Sequence, residues 1–470
     1  MRLNAKACRI GFMFAALAAD AAFGAMDIQR EIDACAARGG GRVTVPSGTY
    51  RTRSLELRSN VELHLDKGAI IEGLPGMENY RKYRFAHFEG DAMAVVACVA
   101  QTNVAITGEG EIYGAGADWP IPRGEDLPPG VLTESLRPRG ILFVDCRDVR
   151  LEGIRFTDAA CWGVVFYRCD GVDVHGVTVD NMANTNGDGM DIEARNFRMT
   201  DCEIQGGDDA VCFKANDPGF TSENIYVSNV IARTHCYNFK LGTATRGIMR
   251  NFLITDCRAE PPRRFCVDRR KGHDLVLEGR PNWPLWIGHG SYPGASEERP
   301  GHGLSRSAIA ITCVDGGIVE DIVFRNMDLE GACTPFFIRA GLRPSRPNCP
   351  SRPASHRILR RILLENITGR AESFTANSIT GVEGCRAKDI TLRNVRLVCK
   401  GGGDTAAERT RPVPEVPGKY PNSSMFGDQM LPAYGLYIRH ADNVRLENVE
   451  FQLAEGSSDA RDAIVREDVR

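Results

Sequence analysis

A four-residue phrase that recurs along the chain limits what the chain can fold into. Each copy reads polar or glycine, apolar, any residue, apolar, and its first apolar residue falls at 149, 172, 197, 225 and 252, with gaps of 23, 25, 28 and 27 residues. This short alternation predicts β-strands rather than helices. A β-unit of about 25 residues that repeats is typical of one solenoid coil. The sequence therefore predicts an all-β chain, a right-handed parallel β-helix of about ten to twelve coils.

The repeats predict one β-helix domain over residues 26–470. At its start, Ile28, Ile32 and Cys35 recur at helical spacing before three glycines, which predicts a short helix that caps the open end of the core. The polar segment after Ala454 is expected to be a loose cap. Three longer gaps between copies predict loop insertions, near 259–306, 340–357 and 401–434.

Residues 1–25 contain basic residues, an apolar run and then small residues, which is the pattern of a signal peptide. We therefore expect a protein that is secreted or periplasmic, with a start at Met26 as the alternative. The formal charge of −3 gives no reason to expect a nucleic-acid partner. No apolar run of about 18 residues follows the N-terminus, so no membrane span is expected. The 16 cysteines lie in repeated contexts, which predicts buried thiols rather than a disulfide framework.

Carboxylates are concentrated in two consecutive coils. Asp188 lies in a glycine-flanked run, and Asp208 and Asp209 follow about one coil later. Neighbouring strands are about 4.8 Å apart, so these side chains should converge on one face. Crowded carboxylates repel one another, and one should hold its proton more tightly than a free aspartate does. A protonated acid beside an ionised base is what glycosidic bond cleavage requires, although Asp-Gly runs also form turns and Asp clusters bind calcium.

These runs resemble the signature of glycoside hydrolase family 28, the polygalacturonase group of pectin-degrading β-helix enzymes. The family pattern Asn-x-Asp-Gly-x-Asp matches Asn186 to Asp191, and Gly-Asp-Asp follows about twenty residues later. The resemblance implies that Asp208 is the general acid and that Asp188 and Asp209 hold and deprotonate the attacking water. The reaction would invert the anomeric centre in a single displacement. We place Asn186 and Asp191 among the substrate-binding residues and expect no cofactor and no metal.

Two family signatures are altered in this chain. Residues 236–238 take the place of Gly-His-Gly, so Tyr237 stands where the family has histidine, and His235 lies two residues upstream. The family's Arg-x-Lys, which holds the carboxylate of the substrate, would fall at 308–310, where both basic residues are alanine. Two Gly-His-Gly triplets elsewhere are interpreted as coincidental because they lie in the wrong coil, at 288–290 and 301–303.

Other cations could compensate for these losses. Lys214 and Lys240 are 26 residues apart, which predicts that they stack in register on neighbouring coils. Burying two lysines is costly, so we expect them to face solvent and a ligand, with a solvated outer face as the alternative. Arg339 ends an apolar run and is another candidate cation near the cleft. We count these three cations, His235 and Tyr237 with the substrate-binding residues.

The leading hypothesis is a monomeric glycosidase that cleaves a pectin-like or other plant-type polysaccharide or oligosaccharide, with exo action favoured because long loops can close one end of a groove. Two alternatives stay open. A polysaccharide lyase would use Ca²⁺ on the same fold and a lysine or arginine as base. A glycan-binding β-helix without activity would gain nothing from crowded like charges. The fold alone does not separate these functions.

Overall fold

A computed structural model describes residues 26–120, 131–263, 267–268, 273–274, 304–344, 357–402, 406–426 and 430–470. Its strands form one 25-stranded sheet in which each strand pairs in parallel with the strands one coil before and after it. Such a sheet, wound on itself, is a right-handed parallel β-helix, and the predicted fold is confirmed.

The secondary structure consists almost entirely of short strands. Two α-helices are described, α1 (Ile28–Ala37) and α2 (Ala406–Thr410). The strands are β1 (Gly41–Val45), β2 (Gly48–Thr52), β3 (Leu55–Glu56), β4 (Val61–Leu65), β5 (Ala69–Gly73), β6 (Ala94–Val99), β7 (Thr102–Gly108), β8 (Glu111–Tyr113), β9 (Arg139–Val144), β10 (Arg147–Glu152), β11 (Arg155–Thr157), β12 (Val164–His175), β13 (Thr178–Asn181), β14 (Met190–Gly206), β15 (Val211–Ala215), β16 (Thr221–Thr234), β17 (Tyr237–Thr245), β18 (Ile248–Glu260), β19 (Val267–Asp268), β20 (His273–Asp274), β21 (Ser305–Cys313), β22 (Ile318–Ala340), β23 (Ile358–Ala371), β24 (Asn377–Thr380), β25 (Ala387–Cys399), β26 (Ala433–Leu453) and β27 (Asp462–Val469). The pair β19–β20 is antiparallel and lies outside the main sheet.

The recurring phrase explains how the coils stack. Val172, Phe197 and Ile225 are the first apolar residues of successive copies, and they pair in register with one another and are buried. The residue before each of them turns the corner in the left-handed region, with φ of +73° at Gly171, +51° at Asn196 and +59° at Asn224. Asparagine tolerates this conformation better than most residues, and the Asn224 amide also donates to the Asn196 side-chain oxygen one coil earlier, at 2.9 Å. The repeat thus sets both the core and the corners.

The two ends of the described sheet differ. Helix α1 buries Ile28, Ile32 and Cys35 against the first coils, as predicted, and the Asp27 side chain caps it by accepting from the Arg30 amide at 3.1 Å. The prediction of a loose cap after Ala454 is wrong. That segment contains β27, which pairs in parallel with β26, because its apolar residues still pack on the core despite its many charges.

Several other expectations concern particular segments. All cysteines in the described part of the chain are free and buried, which agrees with the prediction of stacked thiols. None of the described helices has the length and apolar character to cross a bilayer. The candidate signal peptide 1–25, both Gly-His-Gly triplets and most of the insertion at 259–306 lie outside the described residues.

Candidate active site

The coil geometry brings the carboxylates of two consecutive coils together. Asp188 ends the loop before β14, and Asp208 and Asp209 lie in the short connection from β14 to β15. The Gly189 amide donates to the Asp209 carbonyl at 2.8 Å, which places Asp188 beside Asp209 one coil apart. Carboxylate oxygens of Asp188 and Asp209 lie within 4.8 Å of each other, as do those of Asp208 and Asp209. The three side chains therefore form one cluster.

Two buried lysines supply positive charge to this cluster. The Lys214 ammonium lies 3.1 Å from Asp191 and 3.7 Å from Asp188. The Lys240 ammonium lies 2.7 Å from an oxygen of Asp209. Within the described residues Asp208 forms no ion pair. Charge compensation is thus uneven among the four carboxylates.

The register predicted for the two lysines is wrong. Lys240 pairs with Cys212 rather than with Lys214, because paired residues in this part of β15 and β17 are 28 residues apart and not 26. Neither lysine lies on a solvated outer face, since both are buried. Their burial is tolerated because each ammonium contacts carboxylates and an aromatic ring, Lys214 at 4.0 Å from the centre of the Trp162 ring and Lys240 at 4.6 Å from that of Tyr237.

Burial and mutual repulsion raise the pKa values of Asp188, Asp191 and Asp208. Desolvation is the largest cause for Asp188, whose pKa lies well above its ordinary value, and the negative charge of Asp191 adds to it. Desolvation also raises the pKa of Asp191, to about 6. Burial and then Asp209 raise the pKa of Asp208. Strongly interacting carboxyls titrate as a unit, so the cluster as a whole retains protons to higher pH than free aspartates do.

The cluster forms the floor of a cleft of about 420 Å³. Of the predicted residues, the cleft is lined by Asn186, Asp188, Asp208, Asp209, Lys214, Tyr237 and Lys240. Asp191 lies beneath the floor, where it contacts Lys214. His235 is buried and does not line the cleft. Tyr237 occupies the predicted place in the next coil, since its carbonyl accepts from the Ala210 amide at 2.9 Å.

The prediction that Arg339 faces the cleft is wrong. Its side chain is buried and donates to the carbonyls of Gly381, at 2.7 Å, and Val416, at 3.1 Å. It therefore anchors the segment 406–426 to the β-helix instead of binding substrate. Tyr420 and Asn422 of that segment reach the cleft wall, and the hydroxyls of Tyr420 and Thr243 are 2.7 Å apart.

Sequence reasoning missed part of the cleft lining. The missed residues with charged or aromatic side chains are Glu89, Glu134, Trp162, Arg306, Arg343 and Tyr420. All but Arg306, which lies near the start of β21, come from connections between strands, where the repeat leaves no positional signal. Arg343 is held by Asp315, whose two carboxylate oxygens accept from it at 2.7 and 2.5 Å. The pair Ala308 and Ala310, at the place of the family's Arg-x-Lys, is fully buried, and Ala310 pairs with Lys240.

Closely spaced carboxyls with raised pKa values, at the bottom of a cleft on a β-helix, are an arrangement suited to a glycosidase. Residues 35–235 match the model of "Glycosyl hydrolases family 28", and this segment carries the whole carboxylate cluster. The proteins that this model describes are glycosidases.

The individual relatives are distant. A "Probable polygalacturonase" of Vitis vinifera is 25% identical over 248 residues, which cover 50% of this chain and 49% of that protein. The match thus spans about half the length of that relative. The exopolygalacturonase of Thermotoga maritima superposes with a TM-score of 0.58 at 22% identity, over 79% of this chain and 82% of that one. A family 28 exopolygalacturonase of Yersinia enterocolitica superposes with a TM-score of 0.61 at 16% identity, over 94% of this chain and 74% of that one. These two structures support the fold.

Proposed function

We propose that the protein hydrolyses glycosidic bonds of a pectin-like, uronate-containing polysaccharide or oligosaccharide by single displacement with inversion. Asp208 donates its proton to the leaving glycosidic oxygen as the bond to the anomeric carbon breaks. Asp188 and Asp209 hold a water molecule and take its proton as its oxygen attacks that carbon from the opposite face. We further propose that the protein acts as a secreted or periplasmic monomer.

The observation that carries this proposal is the uneven pairing of the carboxylates. Asp209 and Asp188 have lysine ammonium groups at 2.7 and 3.7 Å, and Asp191 has one at 3.1 Å. An ammonium favours the ionised form of its partner. Asp208 forms no such pair in the described part of the chain, and its pKa is raised by burial and by Asp209. The uneven pairing therefore favours Asp208 as the carboxyl that donates a proton and Asp209, which contacts Lys240, as an ionised partner.

The cations of the cleft support an acidic substrate. Lys214, Lys240, Arg306 and Arg343 all line the cleft, where the two lysines contact carboxylates and Arg343 is bound by Asp315. Four cations in one cleft wall attract an anionic group. A uronate is therefore preferred over a neutral sugar, although the basic residues at 308 and 310 are lost.

The test is a product assay on homogalacturonan and rhamnogalacturonan oligosaccharides, with and without EDTA, for the wild type and Asp208→Asn. We expect new reducing ends of inverted configuration, no unsaturated sugar and no effect of EDTA. The variant should lose about 10²- to 10⁴-fold in kcat, the range for loss of a general acid. An unsaturated product that requires Ca²⁺ would identify a lyase, and glycan binding without any product would identify a binding protein.

A further inference from the structure

Arg137 connects the loop that carries Asp188 to the body of the β-helix. It follows the 3₁₀ helix Thr133–Leu136 and precedes β9, and its side chain is completely buried. One terminal nitrogen, Nη1, lies 2.7 and 2.8 Å from the carbonyl and hydroxyl oxygens of Thr185, 3.1 Å from Oδ1 of Asn184 and 2.8 Å from the Ala160 carbonyl. The other, Nη2, donates to Oδ1 of Asn186 at 2.8 Å.

The acceptors of this guanidinium are all neutral. Among the described residues Arg137 forms no ion pair with a carboxylate. A buried cation without a counter-ion is costly, and an apolar side chain would fill the same space at lower cost. The guanidinium fork is instead suited to hold several oxygens at fixed positions. The contacts therefore indicate a role in the shape of the loop rather than in filling the core.

The contacts fall on three consecutive residues of one loop. Asn184 is also tied on its other side, where its amide donates to the carbonyls of Gly116 and Trp119 at 3.0 and 3.1 Å. Asn186 has a φ of +52°. Two residues later, the Asp188 carbonyl accepts from the Asn181 side chain at 2.9 Å. The loop is thus held along its length, with Arg137 fixing the part just before Asp188.

We infer that Arg137 is a positioning residue for catalysis: it fixes residues 184–186 and thereby the place of the Asp188 carboxyl in the cluster. The catalytic consequence rests on the proposed function, whereas the loop contact does not. A shift of about 1 Å in a catalytic group can cost about 100-fold in rate. Lysine at this position keeps the charge but cannot reach acceptors on both sides of a fork.

The experiment compares Arg137→Lys and Arg137→Gln with Arg461→Lys. Arg461 is the control, since it is also buried, donates to the carbonyls of Phe374 and Leu431, and does not line the cleft, although unlike Arg137 it pairs with a carboxylate, that of Asp459 at 2.7 Å. Three quantities are measured: the unfolding temperature, hydrogen–deuterium exchange of peptides that cover 182–189, and kcat and KM on oligogalacturonate.

Both Arg137 variants should exchange faster in 182–189 and lose about 100-fold in kcat, with KM changed by less than about threefold and the lysine variant retaining more activity. Arg461→Lys should change neither the exchange in 182–189 nor kcat, even if it lowers the unfolding temperature as much as the Arg137 variants do. Unchanged exchange in 182–189, or a kcat loss no larger than that of the control, overturns the inference. If the wild type yields no product, the proposed function fails, and the exchange data still decide whether Arg137 holds the loop.

Discussion

The β-helix carries charged residues in two contrasting settings, the cleft and an outer column on strands β22, β23, β25 and β26. In the outer column, Arg325, Glu365, Arg393 and Glu447 are stacked in register, and neighbouring side chains are joined at 2.6 to 3.0 Å. The signs alternate, and the arginines lower the pKa of Glu365. In the cleft, carboxylates stand beside carboxylates, and the pKa of Asp188 is raised.

The contrast shows what the coil geometry fixes and what it leaves free. In stacked coils, equivalent positions of successive coils lie above one another in a column, irrespective of which residue type occupies them. Alternating signs make such a column self-compensating at the surface, as expected for a structural feature. Like charges in a buried column have to be compensated from elsewhere, here by lysines, which is typical of functional sites with perturbed pKa values. The comparison predicts opposite responses to substitution and to pH.

The largest difference is expected when one cation is removed from each setting. Lys240→Met leaves Asp209 buried without its partner at 2.7 Å, and the free energy of unfolding should fall by about 3–5 kcal/mol. Denaturant unfolding measures the change. The double variant Lys240→Met/Asp209→Leu should recover most of the loss, because no buried charge is left unpaired. If Lys240→Met is as stable as the wild type, Lys240 and Asp209 do not form a close buried ion pair.

The second difference concerns the pH dependence of stability. The pKa of Asp191 is raised to about 6 in the folded protein from 3.8 for a free aspartate, so the folded state binds its proton more tightly than the unfolded state does. This contribution is present below about pH 4 and is lost as the pH rises through 6. Asp191→Asn should therefore flatten the fall of the unfolding temperature between pH 4 and 6.

Glu365 provides the control for this pH series. Its pKa is lowered, so its contribution is lost only as the pH falls below about 4, the opposite direction. Glu365→Gln should leave the slope between pH 4 and 6 as in the wild type. If Asp191→Asn keeps the wild-type slope as well, Asp191 does not titrate as proposed.

The smallest effect is expected for stability in the outer column. The Arg325 and Arg393 side chains are each 43% exposed, and exposed ion pairs contribute about 0.2–1 kcal/mol. Glu365→Gln at pH 7 should therefore lower the free energy of unfolding by no more than about 1 kcal/mol and leave kcat unchanged. A loss comparable to that of Lys240→Met would remove the distinction between the two settings.

Sequence alone predicted the parts of the molecule that follow the repeat. The coil fold and the meeting of Asp188 with Asp208 and Asp209 derive from a spacing of about 25 residues between equivalent positions, and helix α1 from apolar residues at helical spacing. The assigned roles of these aspartates stay predictions. The register of Lys214 and Lys240 could not be predicted, because the length of a coil varies, and paired residues of β15 and β17 are 28 rather than 26 residues apart.

The rest of the site lies in connections, where spacing carries no information. Trp162, Arg343 and Tyr420 reach the cleft from three separate connections, and their contacts depend on loop conformations rather than on coil positions. For Arg339 the strand was predicted correctly, but the direction of the side chain was not. It lies at the end of a well-predicted strand, yet it points to the carbonyls that hold the 406–426 segment. Strand register fixes the position of the backbone of a residue, whereas the packing of nearby loops determines which groups a long side chain contacts.

The enclosed lysine–carboxylate pairs have a consequence for the ionic environment in which the protein can work. Both side chains of the Lys240–Asp209 pair are 5% exposed, so dissolved ions cannot come between them. Debye screening acts on charges in contact with the electrolyte, over about 8 Å at physiological ionic strength, and has little effect on pairs closed to it. The counter-charges of the cluster are buried lysines of the protein itself. The protonation of the cluster should therefore be retained at high salt concentrations that weaken the ion pairs of the outer column.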